Sequence, residues 1–416
     1  MFRILYASWP LFFGLALIMI GNGLQGTLLG VRATIEGFDT TTIGFIMSLY
    51  YFGFLAGSYY VPKLVNRVGH IRVFTALASL ASATVLLHGL YPDPWLWAII
   101  RGFTGFSYAG LYIVVESWLN NTSSNKTRGK IFGIYQVISY GGMVLGQFFL
   151  NISDPGTIDL FIMTSILVSI ALIPISLSSR PAPDFEEPDH LSFKQLFKIS
   201  PFGLICAFGT GIGTGAVFAL GAVYATSIGM SIVQISTFMA LFIVGGVVSQ
   251  IPIGWLSDKY DRRIVIIGVS FACTLSALSC YYFSDNFAWL NVSIFILGAL
   301  SLPIYGLSIA QITDHLTPKQ YIAGGASAIL VNGAGAAIGP LIISLMMKII
   351  GIDSYFIMVS LVFGWLCLYG LYRTQKRDAI PLEDQGDYTA MPVRPTPMSM
   401  SITEEGHAIL KEMEDN

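Results

Sequence analysis

Runs of about twenty apolar residues, each closed by a short polar stretch, recur near 9–31, 42–62, 72–91, 96–118, 130–150, 159–178, 201–225, 234–256, 264–283, 287–311, 322–348 and 354–372. A helix rises about 1.5 Å per residue and the hydrocarbon of a bilayer is about 30 Å thick, so each run predicts one membrane-spanning helix. The runs are continuous, whereas strands of a membrane β-barrel read as alternating segments of about 10 residues. The pattern therefore predicts an all-α integral membrane protein with twelve spans. An even number puts both termini on one side. The first run is too long for the apolar core of a signal peptide and no small-residue cleavage site follows it, so it reads as a retained helix.

Positive charge orients the chain, because cytoplasmic loops retain Lys and Arg. With the N-terminus inside, all but three of the 22 basic residues fall on the cytoplasmic side; Arg32 and Lys348 fall on the other face and Arg101 within span four. A missed or spurious span would scramble that alternation. Composition agrees: 11% of the 416 residues are charged and 54% are apolar, against about 25% charged in soluble chains. The net charge of −2, without any Lys/Arg run, excludes an electrostatic case for nucleic acid. Cys206, Cys273, Cys280 and Cys367 all lie in apolar runs without Cys-x-x-Cys spacing, which indicates neither disulfides nor zinc. No nucleophile–base pair, metal cluster or phosphate cradle is identifiable, so neither a cofactor nor an enzyme is expected.

The chain divides into a first six-helix half at 1–178, a linker at 179–200, a second half at 201–373 and a flexible tail at 374–416. The linker is Pro-rich and acidic from Arg180 to His190 and amphipathic from Leu191 to Ile199. The tail is polar and carries Pro392, Pro395 and Pro397, with a short helix near Glu404–Met413. The halves read as diverged copies. After span two the loop is Pro62-x-x-x-Asn66-Arg67-x-Gly69-His70-x-Arg72, and after span eight it is Gly254-x-x-x-Asp258-Lys259-x-Asp261-Arg262-Arg263. A weaker echo pairs Gly110-Leu111 with Gly306-Leu307.

Twelve spans in two pseudo-symmetric bundles, a long middle loop and this loop pattern resemble the major facilitator superfamily, over residues 1 to about 373. The 254–263 segment carries most of the likeness, with Asp261 in place of the pattern's second glycine. Within that family the chain looks most like small bacterial transporters of poorly defined substrate, related to drug and sugar carriers. The resemblance implies alternating access, with two bundles rocking about a midplane site. It also implies a latch in which Asp258 meets the start of span five near Gly129 and Lys130, since a carboxylate is favoured at a helix N-terminus. Asn66 and Pro62 depart from the pattern, so the first-half latch is weaker or wired differently. A role for these charged loops in topology alone is the alternative.

Ionisable groups at membrane depth are costly and count as functional candidates. Arg101 opens Arg101-Gly-Phe-Thr-Gly105, which resembles the family's Arg-x-x-x-Gly motif, linked there to proton transfer or to an anionic group. The alternative is an arginine that snorkels toward Asp93 or a headgroup. Glu116, near the cytoplasmic end of span four, reads as a latch to Arg67 or Arg128, as the protonation site that couples transport to a proton gradient, or as an inert cap. Arg262 belongs to the second-half latch. Asp314 and His315 read as loop residues, and Arg32 with Glu36 as an outer-loop ion pair.

By the resemblance, spans one, four, seven and ten line the cavity. Asn22 and Gln25 on span one, Gln136 and Tyr140 on span five and Asn332 on span eleven are its polar candidates. Tyr108, Tyr112, Phe218 and Tyr305 are its aromatic candidates, with core packing the alternative for each. The glycines at 209, 211, 213 and 215 lie within a span and lack the strand-turn-helix setting of a nucleotide loop, so they read as close-packing positions. Gly141-Gly142-x-x-x-Gly146 is similar to the family's exporter motif without its proline. The reading is a secondary transporter of the bacterial inner membrane, both termini cytoplasmic. As a monomer in the lipid bilayer it moves a small organic solute, neutral or singly charged, outward and coupled to protons or another ion. The alternatives are a sugar or organic-acid importer, and a non-transporting sensor or assembly factor in which the tail does the work.

Overall fold

The computed structural model describes residues 2–123, 127–176, 191–392 and 394–402. Its helices are α1 Phe2–Ile35, α2 Thr40–Val68, α3 His70–Leu90, α4 Pro94–Thr122, α5 Arg128–Phe149, α6 Asp159–Ser176, α7 Phe193–Ile199, α8 Pro201–Ser227, α9 Ile232–Lys259, α10 Arg262–Tyr282, α11 Phe287–Thr313, α12 Tyr321–Ile350, α13 Ser354–Thr374 and a final turn α14 Ser399–Ile402. Side-chain caps set several starts. Asp39 accepts from Thr41 and Thr42, Asp93 from Leu96, and Ser231 forms a capping box with Gln234. Between α2 and α3 a single residue, Gly69, turns the chain at φ +89°, where a side chain would be strained.

Eleven of the described helices are long and apolar enough to cross a membrane by themselves. The twelfth span is α5, whose 22 residues include Arg128, Lys130, Gln136 and Gln147. Protein groups satisfy that polarity: Gln147 accepts from Thr27 and donates to Gly23 O at 2.9 Å, as any polar group away from water requires. Twelve spans thus form two six-helix bundles, α1–α6 and α8–α13. Amphipathic α7 lies against the second, with Leu196 buried and the preceding Leu191 bonded to Ser327 of α12.

Glycine seams hold each bundle, and they repeat between the halves. A Cβ on Gly53 of α2 would stand 1.9 Å from Gly102 O of α4; a Cβ on Gly298 of α11 would stand 1.9 Å from Phe242 O of α9. The α8–α12 seam is built the same way, with Gly211 against Asn332 O and Gly335 against Phe208 O. The glycines of α8 are therefore packing positions. Small residues let backbones meet in lipid, where apolar side chains gain little by pairing.

The bundles meet most closely at the face opposite the basic loops. There Gly44 of α2 abuts Ser344 and Pro340 of α12, Gly30 of α1 abuts Ala222 and Val223 of α8, and Asn151 donates to Ser236 of α9 at 2.9 Å. Asp39 and Lys348 close that rim as an exposed pair at 3.2 Å. Toward the basic face a cleft lies between the halves, and it is filled. The sequence predicts a flexible tail after residue 373; the structure instead seats residues 386–392 and 394–401 in this cleft, with Met391, Thr396, Met398, Ser399, Met400 and Ser401 all buried. The physical reason is composition within the segment. Three methionines lie among prolines and hydroxyls, each worth about 2 kcal/mol on burial, and the cleft seats Met400 against Gly325 of α12. The helix expected near Glu404–Met413 and the linker from 177 to 190 lie outside the described residues.

Candidate functional site

Glu116 stands on α4 with its side chain wholly buried. Its Oε1 accepts from Tyr135 of α5 at 2.7 Å and from Ser399 at 2.9 Å, and its Oε2 accepts from Thr396. No Lys or Arg among the described residues pairs with it. Of its expected partners, Arg67 is exposed and Arg128 donates instead to Asn120 O at 2.9 Å, tying the start of α5 to the end of α4. In this conformation Glu116 is therefore not latched to either arginine. Three hydroxyl donors surround a carboxyl group that can be ionised or protonated at the same spot, because each hydroxyl can turn to donate or accept.

Arg101 does not snorkel to Asp93, which is occupied as the α4 cap. It is buried, with its Cζ 4.4 Å from the centre of the Tyr50 ring. Tyr50 in turn accepts from Asn22 of α1 at 3.1 Å. Tyr50, Tyr51 and Phe54 of α2 face Phe218 of α8 and Tyr305 of α11 across a cavity of about 70 Å³, which Tyr140 of α5 and Asn332 of α12 also line. Asn332 donates to Ala207 O at 2.8 Å. Tyr108, Tyr112 and Gln25 are packed behind this wall and do not reach the cavity.

The last wall of the cavity is the C-terminal segment itself. Gln136 donates to Ala390 O at 2.6 Å, Tyr140 to Met391 O at 3.1 Å, and Gln250 of α9 to both Tyr140 and Met391 O. Arg394 donates to the Tyr51 hydroxyl at 3.1 Å. Tyr388 wedges over Gly254 and Gly306, where any side chain would collide with its ring, and Met400 fills the same kind of seat at Gly325.

On the basic face Asp258 does not stand against Gly129 and Lys130. It accepts from the Tyr388 N–H at 2.8 Å and lies 3.6 Å from Arg262. Arg262 is buried and bonds to Ser257, to Gly386 O at 2.6 Å and to Asp314. Asp314, expected as a loop residue, is thus the buried counter-ion of Arg262 and also accepts from the Gly386 N–H. In this arrangement the loop acid caps the segment's backbone rather than a helix end. Arg32 and Glu36 form the expected i,i+4 pair at 2.7 Å.

A model of the Major Facilitator Superfamily matches residues 11–232 and again 203–400. The chain belongs to the Major Facilitator Superfamily. Members of this superfamily are carriers rather than enzymes, so the work to be explained is movement of a solute. The chain is 25% identical over 352 residues to the Yersinia enterocolitica protein named uncharacterized MFS-type transporter YE1530, covering 83% of this chain and 90% of that one. Among solved structures, a variant of the nucleoside transporter NupG superposes with a TM-score of 0.75 at 12% identity, covering 88% of this chain and 99% of that one. A bacterial homologue of the lysosomal transporter Spinster, inward-facing and occupied, superposes at 0.69 with 14% identity, over 92% and 99% of the two chains. At such identities these likenesses establish the fold alone.

Within this facilitator fold, sequence reasoning misses Tyr50, Tyr51 and Phe54, Gln250, and the tail residues Met391, Arg394, Thr396 and Ser399. The signal for the tail is present but quiet: Met391, Met398 and Met400 are apolar residues in a stretch otherwise read as solvated.

Proposed function

We propose that this facilitator is a proton-coupled secondary transporter that carries a small organic solute through the Tyr50–Phe218 cavity by rocking its two bundles. The observation that carries the reading is Glu116. It is a fully buried carboxyl group with no Lys or Arg paired to it among the described residues, on the helix that also bears Arg101, and it is bonded to the segment that closes the cavity. A charge held at that depth without a partner is costly, and a single proton removes the cost. Protonation would then bias the two bundle arrangements differently, which is what coupling requires. In this reading the basic face lies in the cytoplasm of a bacterial inner membrane and both termini are cytoplasmic. The molecule works as a monomer and net movement is outward. The cavity walls are aromatic and neutral apart from Arg394, which suits a singly charged amphiphile better than a sugar or a polyanion.

A second reading has one specific support: the docked tail. A sensor built on the fold would use 386–401 as its output and would move no solute. Proteoliposomes carrying a pH dye separate the two. A solute from a panel of sugars, carboxylates, amino acids and amphiphilic cations that drives proton movement supports transport. Under this reading Glu116→Gln still exchanges solute across the membrane but no longer accumulates it against a gradient. Proton flux unchanged in Glu116→Gln would sink the assignment of that residue.

A further inference from the structure

Three aromatic rings of the cavity close around one cation. The Arg394 guanidinium carbon stands 4.8 Å from the Phe218 ring centre, 5.3 Å from that of Tyr51 and 5.5 Å from that of Tyr50. Tyr51 also accepts its hydrogen bond. Among the described residues no carboxylate lines the cavity, so the rings and that hydroxyl are what receive the charge. We infer that this box is the cation subsite of the solute site and that Arg394 is its built-in occupant. The carried solute then bears an amidinium or guanidinium group on an apolar body, and it enters by displacing residues 386–401. The inference rests on the transport reading above and adds to it the class of solute and a competitor for its site.

The chemistry favours a planar, delocalised cation over an ammonium. Such a group is weakly hydrated and loses less on leaving water, and it stacks on aromatic faces. Arg101 shares the Tyr50 ring with Arg394, and its like charge keeps any cation in the box from binding tightly, which suits a site that must also release. It also disfavours a dication. The box is divided between the halves, with Tyr50 and Tyr51 on α2 and Phe218 on α8. Its occupant therefore bridges the two bodies that must move, so an occupant anchored by the tail holds them in one arrangement whereas a free solute can travel with the change. The anchors are the bonds to Glu116, Gln136, Tyr140 and Asp258 described above.

The test uses full-length protein in detergent with benzylguanidine, its neutral analogue benzylurea, and benzoate. Hydrogen exchange of residues 386–401 is followed by mass spectrometry, and binding by thermal stabilisation. Benzylguanidine is expected to speed exchange of the segment saturably, and benzylurea to leave it unchanged. Arg394→Ala, with its box vacated, should bind benzylguanidine about tenfold more tightly, and adding Phe218→Leu should return most of that gain, the scale of one cation–π contact. Benzylguanidine that neither speeds exchange in the wild type nor stabilises Arg394→Ala overturns the inference. So does benzoate that slows exchange through Arg394, because the two arginines would then be an anion clamp. None of these readings needs a gradient. A protein that behaves as expected here yet moves no solute defeats the transport reading alone, and one that transports without any effect of benzylguanidine defeats this inference alone.

Discussion

The Ser399 hydroxyl donates to Glu116 at 2.9 Å across 283 residues of chain, so a buried carboxyl group of the first bundle is completed by the segment that follows the second. Thr396 makes a companion bond to the other oxygen. Removing both donors by Thr396→Val with Ser399→Ala leaves Glu116 with Tyr135 alone. Hydrogen bonds of this kind are each worth about 1–2 kcal/mol net. The double variant should therefore raise the exchange rate of residues 386–401 at least tenfold, read by hydrogen–deuterium exchange. An unchanged rate would mean that the buried methionines and the bonds to Gln136, Tyr140 and Asp258 hold the segment without Glu116.

Arg262 and Asp314 form a pair in which both side chains are almost wholly buried. Breaking such a pair from one side strands a charge and costs about 3–5 kcal/mol. Asp314→Ala should lower the thermal unfolding midpoint in detergent more than Asp314→Asn, which keeps an acceptor for Arg262 and for the Gly386 N–H. Equal effects from the two substitutions would place the loss in packing rather than in charge.

Acid should loosen the opposite rim. Hydrogen bonding from Thr42 above all, joined by the Lys348 ammonium, holds the Asp39 carboxyl below its ordinary value against the opposing effect of burial. A depressed folded value means that its contribution is present above about pH 4 and is lost as pH falls through the folded value. The pair is half-exposed, so the contribution is small. Cross-linking of cysteines placed at the α2–α12 rim should weaken only below about pH 4, and Asp39→Asn should remove that dependence.

Adjacent glycines should behave oppositely. A Cβ on Gly142 would meet Met19 Cβ at 2.7 Å and the α1 backbone beyond it, whereas a Cβ on Gly141 meets nothing within 4 Å. Gly142→Ala is expected to destabilise by about 1–3 kcal/mol through overpacking, and Gly141→Ala to be neutral or slightly stabilising. Thermal unfolding of the two single variants checks both, and similar midpoints would dissolve the α1–α5 seam as an explanation.

The helices were legible because lipid imposes one rule on every span, and a run of twenty apolar residues has few other uses. Span five was legible from its length, although Gln136 and Gln147 make it the most polar. What the sequence hid were relationships between distant segments. Tyr50 and Tyr51 look like any aromatic pair in a span, and only the fold turns them toward Phe218. Asp314 resembles a loop acid until Arg262 is seen beside it. The tail misleads for a subtler reason. Its prolines and hydroxyls read as solvated because nothing local satisfies them; the Thr396 and Ser399 hydroxyls meet Glu116, and the Ala390 and Met391 carbonyls meet Gln136 and Gln250, all in helices far away in sequence.

The threading of residues 386–401 between the bundles also sets an order of assembly. A ribosome adding about 5–20 residues per second needs roughly 15–60 s to make the chain between Glu116 and Ser399. Through that interval Glu116 is without the Thr396 and Ser399 hydroxyls that bond to it in the finished structure. The segment that supplies them reaches its seat only after the helices of both bundles that line the cleft have been made, so the closing of the cleft comes late in assembly.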